Sequence, residues 1–212
     1  MVAVNRGGRR SYESPVRRER AAATRSAILA SARRLFASGG YERTTVETIA
    51  ADADVAVRTV YTTYGTKRAI LFGLLEQVAP TPREDLETAL RDRADNPRAQ
   101  LELAVSFTTK FFEAAGDLLD IVRQSAGTEP DVAEFARRGE EFRRRQQQPL
   151  IASWARGGAL AEGLSEQRAA DILWALTGAD VYRLFIIERS WPARQFRAWL
   201  TETLAQLLLT ER

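Results

Sequence analysis

Apolar residues along the chain recur at the three- and four-residue spacing of an amphipathic helix. One such segment begins after Thr24, and Gly39 and Gly40 predict its end. Another begins after Thr66 and ends before Pro80. The apolar positions are Ile28, Leu29, Ala32, Leu35 and Phe36 in the first segment and Ile70, Leu71, Leu74, Leu75 and Val78 in the second. The sequence contains no convincing period-two alternation of the kind that indicates strands, so we predict an all-α chain.

Shorter helices are predicted at about 45–53 and 56–63. Thr81-Pro82 and Asn96-Pro97 each place a capping residue before a proline at the first position of a helix. Pro149 lies inside the longest predicted helix and is expected to kink or split it. The remaining helices are predicted over residues 82–93, 97–115, 117–126, 130–156, 166–188 and 193–209.

Charge divides the chain into two parts. Residues 1–75 contain 13 Arg and Lys against 6 Asp and Glu, a net charge of +7, whereas residues 76–212 contain 18 against 22, a net charge of −4. Lys67 and Lys110 are the only lysines, and the resulting excess of Arg fits phosphate recognition or a biased genome composition equally well. We predict a flexible Arg-rich arm at residues 1–20, a small domain at 21–75 and a larger helical domain at 76–212.

Two residue types are absent from the 212 residues, Cys and His. Their absence excludes disulfides, thiolate or imidazole metal ligands, and Ser-His or Cys-His catalytic pairs. Carboxylate pairs such as Glu140 and Glu141 remain, but consecutive helix residues point in different directions, which indicates a solvated face. We therefore expect a protein that is not an enzyme, with no cofactor and no metal.

No segment of the sequence is suited to a membrane. The longest stretch without a charged residue, Gln146 to Ala155, is ten residues, whereas a spanning helix needs about 20. The Arg-rich start is not followed by the apolar core of a secretory signal. We expect a cytoplasmic protein without a membrane partner.

The segment from Thr44 to Lys67 has the pattern of a helix-turn-helix unit. Thr44 with Glu47 three residues later predicts a capping box at the start of the first helix. Asp54 stands where the chain must turn, and Val60 returns to the core from a second helix that is left exposed. Other short helical hairpins share some of these features, but the hydroxyls and cations here suit phosphate contacts better than a core. These polar residues are Thr44, Thr45, Arg58, Thr59, Tyr61, Thr62, Thr63, Tyr64, Thr66 and Lys67.

The run from Thr24 to Leu75 includes LFASGGYERTTVETIA and TVYTTYGTKRAIL. It resembles the DNA-binding domain of the TetR family of bacterial transcriptional regulators, in which the second helix of the motif lies in the major groove. The resemblance implies that phosphates are held by Thr45, Tyr61, Thr63 and Lys67, and that base edges are faced by Val46, Val57, Arg58 and Thr59. With Thr44 at the start of the motif, these residues form the predicted DNA-binding set.

Two residues depart from the family pattern. The family usually has Gly in the turn and Ser before the recognition helix, where this chain has Asp54 and Ala56. Asp tolerates the left-handed conformation better than most residues, so the turn can form. Loss of the cap at Ala56 is expected to cost about 1 kcal/mol, which Asp54 could partly recover by capping the helix.

The resemblance also implies a helical C-terminal domain that binds a small effector and dimerises through its last two helices. The last helix has a one-sided apolar stripe, and the segment Ala169 to Trp191 is apolar nearly all round, as expected of a helix with two partners. We therefore predict a homodimer whose interface includes Leu173, Phe185, Phe196, Trp199, Leu200, Leu204 and Leu207. Two-fold symmetry further predicts an inverted-repeat operator.

The sequence indicates the effector site less clearly than the DNA-binding site. Aromatic residues at helical spacing are typical of a core as well as of a pocket. Asp180 lies on the most apolar segment, where it is either an exposed or Arg183-paired residue or a polar ligand contact. The candidate ligand-binding residues are Phe107, Phe111, Phe142, Trp154, Trp174, Asp180 and Tyr182.

Together these features predict a ligand-responsive regulator, a repressor that binds double-stranded DNA and is released by an unidentified small molecule. The alternative is an architectural protein that binds DNA without sequence preference.

Overall fold

The computed structural model of the chain describes residues 15–78 and 83–210. Apart from one isolated antiparallel bridge between Leu160 and Leu209, the regular structure of these residues is helical, which confirms the all-α prediction. The chain divides into two compact units between Leu71 and Phe72, a few residues before the boundary expected from the sequence. Within the described ranges, no helix is both long and apolar enough to cross a bilayer.

The first unit contains α1 (Pro15–Gly39), α2 (Val46–Asp52) and α3 (Val57–Tyr64), and α4 (Lys67–Gln77) begins in it. The stop at Gly39 is as predicted, with Gly40 at φ 80° donating its N–H to the carbonyl of Phe36. The unit is held by side chains that are almost completely buried: Ile28, Phe36, Ile49, Val60, Ile70 and Leu71.

Part of the predicted arm is helical. Helix α1 begins at Pro15, so residues 15–20 are helical. Proline suits the first turn of a helix because its missing N–H would have no partner there. The remainder of the predicted arm, residues 1–14, lies outside the described residues.

The second unit contains α5 (Arg83–Arg91), α6 (Pro97–Ser125), α7 (Pro130–Arg156), α8 (Glu166–Leu176), α9 (Ala179–Tyr182) and α10 (Ala193–Leu208). A π-helical segment, Arg183–Glu188, follows α9 directly. The predicted cap at Asn96 is confirmed, because its side chain accepts a hydrogen bond from the Ala99 N–H at 2.9 Å. Thr81-Pro82 lies outside the described residues.

Two helix predictions are wrong, and a third is wrong in part. Helix α6 continues through Gly116, because burial of the adjacent Ala115 and Leu118 outweighs the cost of about 1 kcal/mol for one glycine. Of the kink or split expected at Pro149, the split does not occur, since α7 is continuous through this exposed proline and the buried Leu150 that follows it. The segment 166–188 is interrupted, since α8 ends at Leu176 and Thr177 caps it.

The core of the second unit corrects part of the predicted interface and ligand site. Trp154, predicted to contact a ligand, is buried and donates its indole N–H to the side-chain oxygen of Gln100 at 2.7 Å. A side chain buried within one chain offers no surface to a second subunit. This excludes four of the predicted interface residues as direct contacts, Leu173, Phe196, Leu200 and Leu204, which lie in the same core.

Candidate functional site

The turn between α2 and α3 has the geometry of a Schellman motif. The Val55 N–H donates to the Ala50 carbonyl at 3.0 Å, and the Asp54 N–H donates to the Ala51 carbonyl at 3.3 Å. Asp54 has φ 52°, in the left-handed region, as its place in the turn predicts. Ala56 provides no side-chain cap for α3, so the expected loss of capping is confirmed. The turn forms through backbone hydrogen bonds alone.

The start of α2 differs from the prediction by one residue. Thr45 is the N-cap, and it forms a capping box with Thr48 in place of Thr44 with Glu47. Thr44 is buried, and its hydroxyl donates to the Gly40 carbonyl at 2.8 Å. Val46 is also buried, at 8% exposure. Thr44 and Val46 therefore stabilise the unit and leave little surface for DNA.

One face of α3 is exposed. It presents Val57, Arg58 and Tyr61, of which Tyr61 is 49% exposed. Thr59 and Thr63 are half-buried, and the Thr63 hydroxyl donates to the Thr59 carbonyl at 2.7 Å. Apolar, cationic and aromatic side chains thus share one short surface, while Val60 anchors the opposite side of the helix in the core.

A carboxylate lies beside this surface. The Tyr61 hydroxyl donates to Glu47 Oε1 at 3.3 Å. The backbone N–H of Glu47 itself, then the Thr45 side chain and more weakly the Tyr61 hydroxyl, hold the pKa of Glu47 below its usual value. Glu47 is therefore ionised at neutral pH and places a negative charge next to Tyr61. The sequence does not reveal this pair, because the two residues lie on different helices.

Lys67 joins the beginning of α4 to the connection between α1 and α2. Its Nζ donates to the carbonyls of Tyr41 at 2.8 Å and Glu42 at 3.3 Å, and lies 4.2 Å from the centroid of the Tyr41 ring. Lys67 thus has a structural role that the sequence alone did not indicate. Its ammonium group is held in a fixed position at the N-terminus of α4.

The second unit contains a cavity of about 2090 Å³. Its walls are mainly apolar and aromatic, as is typical of small-molecule sites. Six of the predicted ligand residues line it: Phe107, Phe111, Phe142, Trp174, Asp180 and Tyr182. Trp154 is absent from the lining because it is in the core. Among the described residues, no group of three or more acidic, His or Cys side chains could hold a metal ion.

A polar cluster in the cavity wall was missed by the sequence analysis. Arg143 is held by Glu140 Oε2 at 2.6 Å from Nη2 and by the Trp174 carbonyl at 2.8 Å from Nη1. The Trp174 indole N–H also donates to Glu140 Oε2, at 3.0 Å. The sequence indicates a solvated face for Glu140, because spacing within one helix cannot show a partner on another. The contacts with α8 give Glu140 and Arg143 fixed positions at the wall.

Helix α4 reaches the cavity at its C-terminal end. Leu75 is part of the lining, and the Phe72 ring stacks on Phe135, with centroids 3.6 Å apart. Phe135 itself lines the cavity. A molecule in the cavity can therefore contact α4 directly through Leu75 and indirectly through Phe135.

The remaining predicted interface residues retain some exposed surface. Leu207 on α10 is 45% exposed, and Phe185 and Trp199 are half-buried with ring centroids 4.3 Å apart. Leu184 and Ile187, in the π-helical segment, are also exposed and were not predicted. Exposed apolar side chains on the last two helical segments provide candidate subunit contacts.

The first unit defines a helix-turn-helix protein, and the second adds a cavity large enough for a small molecule. Residues 28–74 match the family model for bacterial regulatory proteins of the tetR family. The match covers the helix-turn-helix segment and agrees with the resemblance seen in the sequence.

Solved structures of regulators share the fold. NalD, the secondary repressor of the MexAB-OprM multidrug efflux pump in Pseudomonas aeruginosa, is 24% identical, with a TM-score of 0.76 over 92% of this chain and 100% of that chain. The SmeT–triclosan complex is 17% identical, with a TM-score of 0.72 over 89% of this chain and 93% of that chain. The fatty acid degradation regulator FadR from Bacillus halodurans is 16% identical, with a TM-score of 0.67 over 86% of this chain and 94% of that chain. A search of curated proteins finds no match.

Proposed function

We propose that this protein is a ligand-responsive transcriptional regulator, a repressor that binds an inverted-repeat operator as a homodimer and is released by a small-molecule effector. The observation that carries the proposal is the tetR-family domain at residues 28–74 with the exposed face of α3. The fold shared with the repressor NalD and with SmeT, solved in complex with triclosan, supports it.

In the proposed complex, α3 lies in the major groove. Arg58 reads a base edge with two hydrogen bonds, flanked by Val57 and Thr59. Phosphates are contacted by Thr45, Tyr61, Thr63 and Lys67. Thr44 and Val46 position this surface from the core and take no direct part.

Tyr61 must exchange partners when DNA binds, because a phenol has one proton to donate. In the free protein that proton is donated to Glu47. A phosphate that accepts it displaces Glu47 and lies close to the Glu47 charge. Glu47 therefore opposes DNA binding and limits affinity.

The dimer is proposed to form through the exposed apolar residues of the last two helical segments, Leu184 and Leu207, with Trp199 at their edge. A two-fold axis between the subunits would present two α3 helices to half-sites about one turn of DNA apart, roughly 34–36 Å.

Effector control is proposed to act through α4. Lys67 at its beginning and Leu75 in the cavity lining are separated by eight residues, about 12 Å along one helix. A ligand that contacts Leu75 or Phe135 favours one position of α4 and so changes the placement of the DNA-reading helices. By linkage, the factor by which ligand lowers DNA affinity equals the factor by which DNA lowers ligand affinity.

The proposal is tested by selecting bound sequences from random DNA with the purified protein. We expect an inverted repeat and specific binding at least about a thousandfold tighter than random DNA at physiological salt. Comparable affinity for random and selected DNA would support the architectural alternative. Binding of a monomer to a single half-site at full strength would contradict the dimer.

Variants of the reading face separate the roles. Arg58→Ala is expected to weaken operator binding about tenfold or more and to relax the preference at one position, whereas Arg145→Ala, on the exposed surface of α7, should have no effect. Glu47→Gln keeps an acceptor for Tyr61 but removes the charge, and should tighten binding about threefold. Weaker binding by Glu47→Gln would contradict the exchange of partners.

Variants of the two lysines, Lys67 and Lys110, provide a second matched pair. Lys67→Met should reduce the slope of log affinity against log salt by about 0.9, the contribution of one phosphate contact. Lys110→Met, on an exposed position of α6, should leave the slope unchanged. Circular dichroism would show that both variants remain folded, and an unchanged slope for Lys67→Met would remove Lys67 from the phosphate contacts.

A further inference from the structure

The size and walls of the cavity indicate a bulky apolar ligand. About 2090 Å³ exceeds the usual range for drug-sized ligands, about 300–1,000 Å³, so a small polar metabolite would contact only part of the wall. The aromatic rings come from four separate helical elements, among them Phe107 on α6, Phe142 on α7, Trp174 on α8 and Tyr182 on α9. Such faces attract apolar groups and also cations, through the negative potential of the ring face.

Carboxylates outnumber guanidinium groups among the described residues of the lining. The carboxylates are Glu87, Glu113, Asp117, Asp120, Glu140 and Asp180, and the guanidinium groups are Arg91, Arg123, Arg143 and Arg183. The wall thus carries four positive charges against six negative ones, of which Glu113 is paired at 3.1 Å with Arg197, outside the lining.

The positive charges are largely neutralised by the protein itself. Arg143 is paired with Glu140 at 2.6 Å, and Arg123 is paired with Asp120 at 3.2 Å. Arg183 forms an ion pair with Glu188, which is outside the lining. The buried Nε of Arg183 has no acceptor within residues 15–78 and 83–210, but the ion pair with Glu188 offsets the charge of this guanidinium group. An anionic ligand would therefore have to separate an existing ion pair at three of the four arginines, whereas Arg91 donates to the Thr88 hydroxyl at 3.1 Å.

Asp180 differs in its hydrogen bonding from the paired carboxylates of the lining. Its carboxylate makes no hydrogen bond or ion pair with any residue in the part of the chain that the structure describes, and Arg183, its expected partner, is paired with Glu188. Asp180 is exposed to the cavity side of α9, next to Tyr182. A carboxylate beside aromatic rings is a suitable counter-charge for a cation on an apolar ligand.

We propose that the cavity binds lipophilic cations, with Asp180 as the counter-charge and the aromatic walls around the apolar body. The inference rests on the proposed function in one respect, that this cavity is the effector site. It adds the chemical class of the effector, which neither the family nor the related structures specify.

The test uses two ions of the same shape and opposite charge, tetraphenylphosphonium and tetraphenylborate, titrated calorimetrically into the full-length protein. We expect the phosphonium to bind at least about tenfold more tightly than the borate. Equal binding, tighter binding of the borate or no binding of the phosphonium would each overturn the proposal.

Two neighbouring acids provide a matched pair of variants. Asp180→Asn should weaken phosphonium binding about three- to tenfold and should not weaken borate binding. Asp171→Asn, on α8 outside the lining and paired with Arg144 at 3.2 Å, should leave both affinities unchanged. Unchanged phosphonium binding in folded Asp180→Asn would overturn the role of Asp180.

Gel shifts with the selected operator separate this inference from the proposed function. If phosphonium binds but leaves the operator complex intact, the effector mechanism is wrong and the cation site stands. If borate releases the operator and phosphonium does not, the effector mechanism stands and the cation preference is wrong.

Discussion

Replacing Gln100 with Met removes a buried polar bridge between three helices. Gln100 is 4% exposed, and its Nε2 donates to the Leu90 carbonyl of α5 at 2.8 Å while its Oε1 accepts from Trp154 of α7 at 2.7 Å. Met has a similar volume, so Gln100→Met changes hydrogen bonding more than packing. The Leu90 carbonyl still accepts from the Arg93 N–H at 3.3 Å, whereas the Trp154 indole N–H loses its acceptor.

The expected cost follows from these contacts. A buried donor without a partner costs about 1–3 kcal/mol, and a lost hydrogen bond to Leu90 about 0.5–1.5 kcal/mol. We therefore expect Gln100→Met to lower the free energy of unfolding by about 2–4 kcal/mol in urea titrations followed by circular dichroism. Gln206→Met makes the same substitution at an exposed position of α10 and should change the free energy of unfolding by less than about 0.5 kcal/mol.

A double-mutant cycle separates the hydrogen bond from packing. Trp154→Phe removes the donor, so the double variant leaves no orphaned indole N–H. Its cost should be smaller than the sum of the two single costs by about 1–2 kcal/mol. Additive costs, or a Gln100→Met variant as stable as the parent protein, would refute the reasoning.

Four further substitutions test local structure and proton binding. Asp54→Gly should stabilise the first unit by up to about 1 kcal/mol in thermal melts, because glycine adopts φ 52° without strain; a loss of stability would mean that the Asp side chain contributes to the turn. Gly178→Ala should lower the free energy of unfolding in urea by about 1 kcal/mol, because the added Cβ would lie 3.1 Å from the Ala175 carbonyl oxygen. Gly139→Ala, whose added Cβ would meet no atom within 4 Å, should raise that free energy by about 1 kcal/mol. Burial first and a neighbouring carboxylate second raise the pKa of Tyr182 above 10.0. Because the unfolded chain loses this proton first, stability should fall above about pH 10, and Tyr182→Phe should reduce that fall in urea titrations at successive pH values.

The sequence was most informative where a local pattern has one physical solution. Asn96 before Pro97 and Gly39 before Gly40 define helix ends through the backbone groups of one turn, and the structure agrees. Asp54 likewise lies in the left-handed turn. The prediction of Thr44 as the cap is wrong, because the identity of the cap depends on which threonine the rest of the unit buries.

Long-range partners could not be predicted from spacing. The apolar stripe of α10 was correctly recognised, but much of it, including Leu200 and Leu204, faces the core of its own unit rather than a second subunit. A stripe identifies the buried face of a helix and does not identify what covers it. For the same reason, Glu140 and Arg143 were indistinguishable from a solvated pair until α8 was placed beside them.

All four tryptophans, Trp154, Trp174, Trp191 and Trp199, belong to the second unit, whereas the described aromatic residues of the first unit are Phe and Tyr. Excitation at the red edge of tryptophan absorption therefore reports on the ligand-binding unit alone, and Trp174 lies in the cavity wall itself. In the proposed complex, with operator DNA bound at α3, a change in that emission would report an effect on the second unit. The four tryptophans thus provide an intrinsic optical test of the proposed coupling, without a dye or a label.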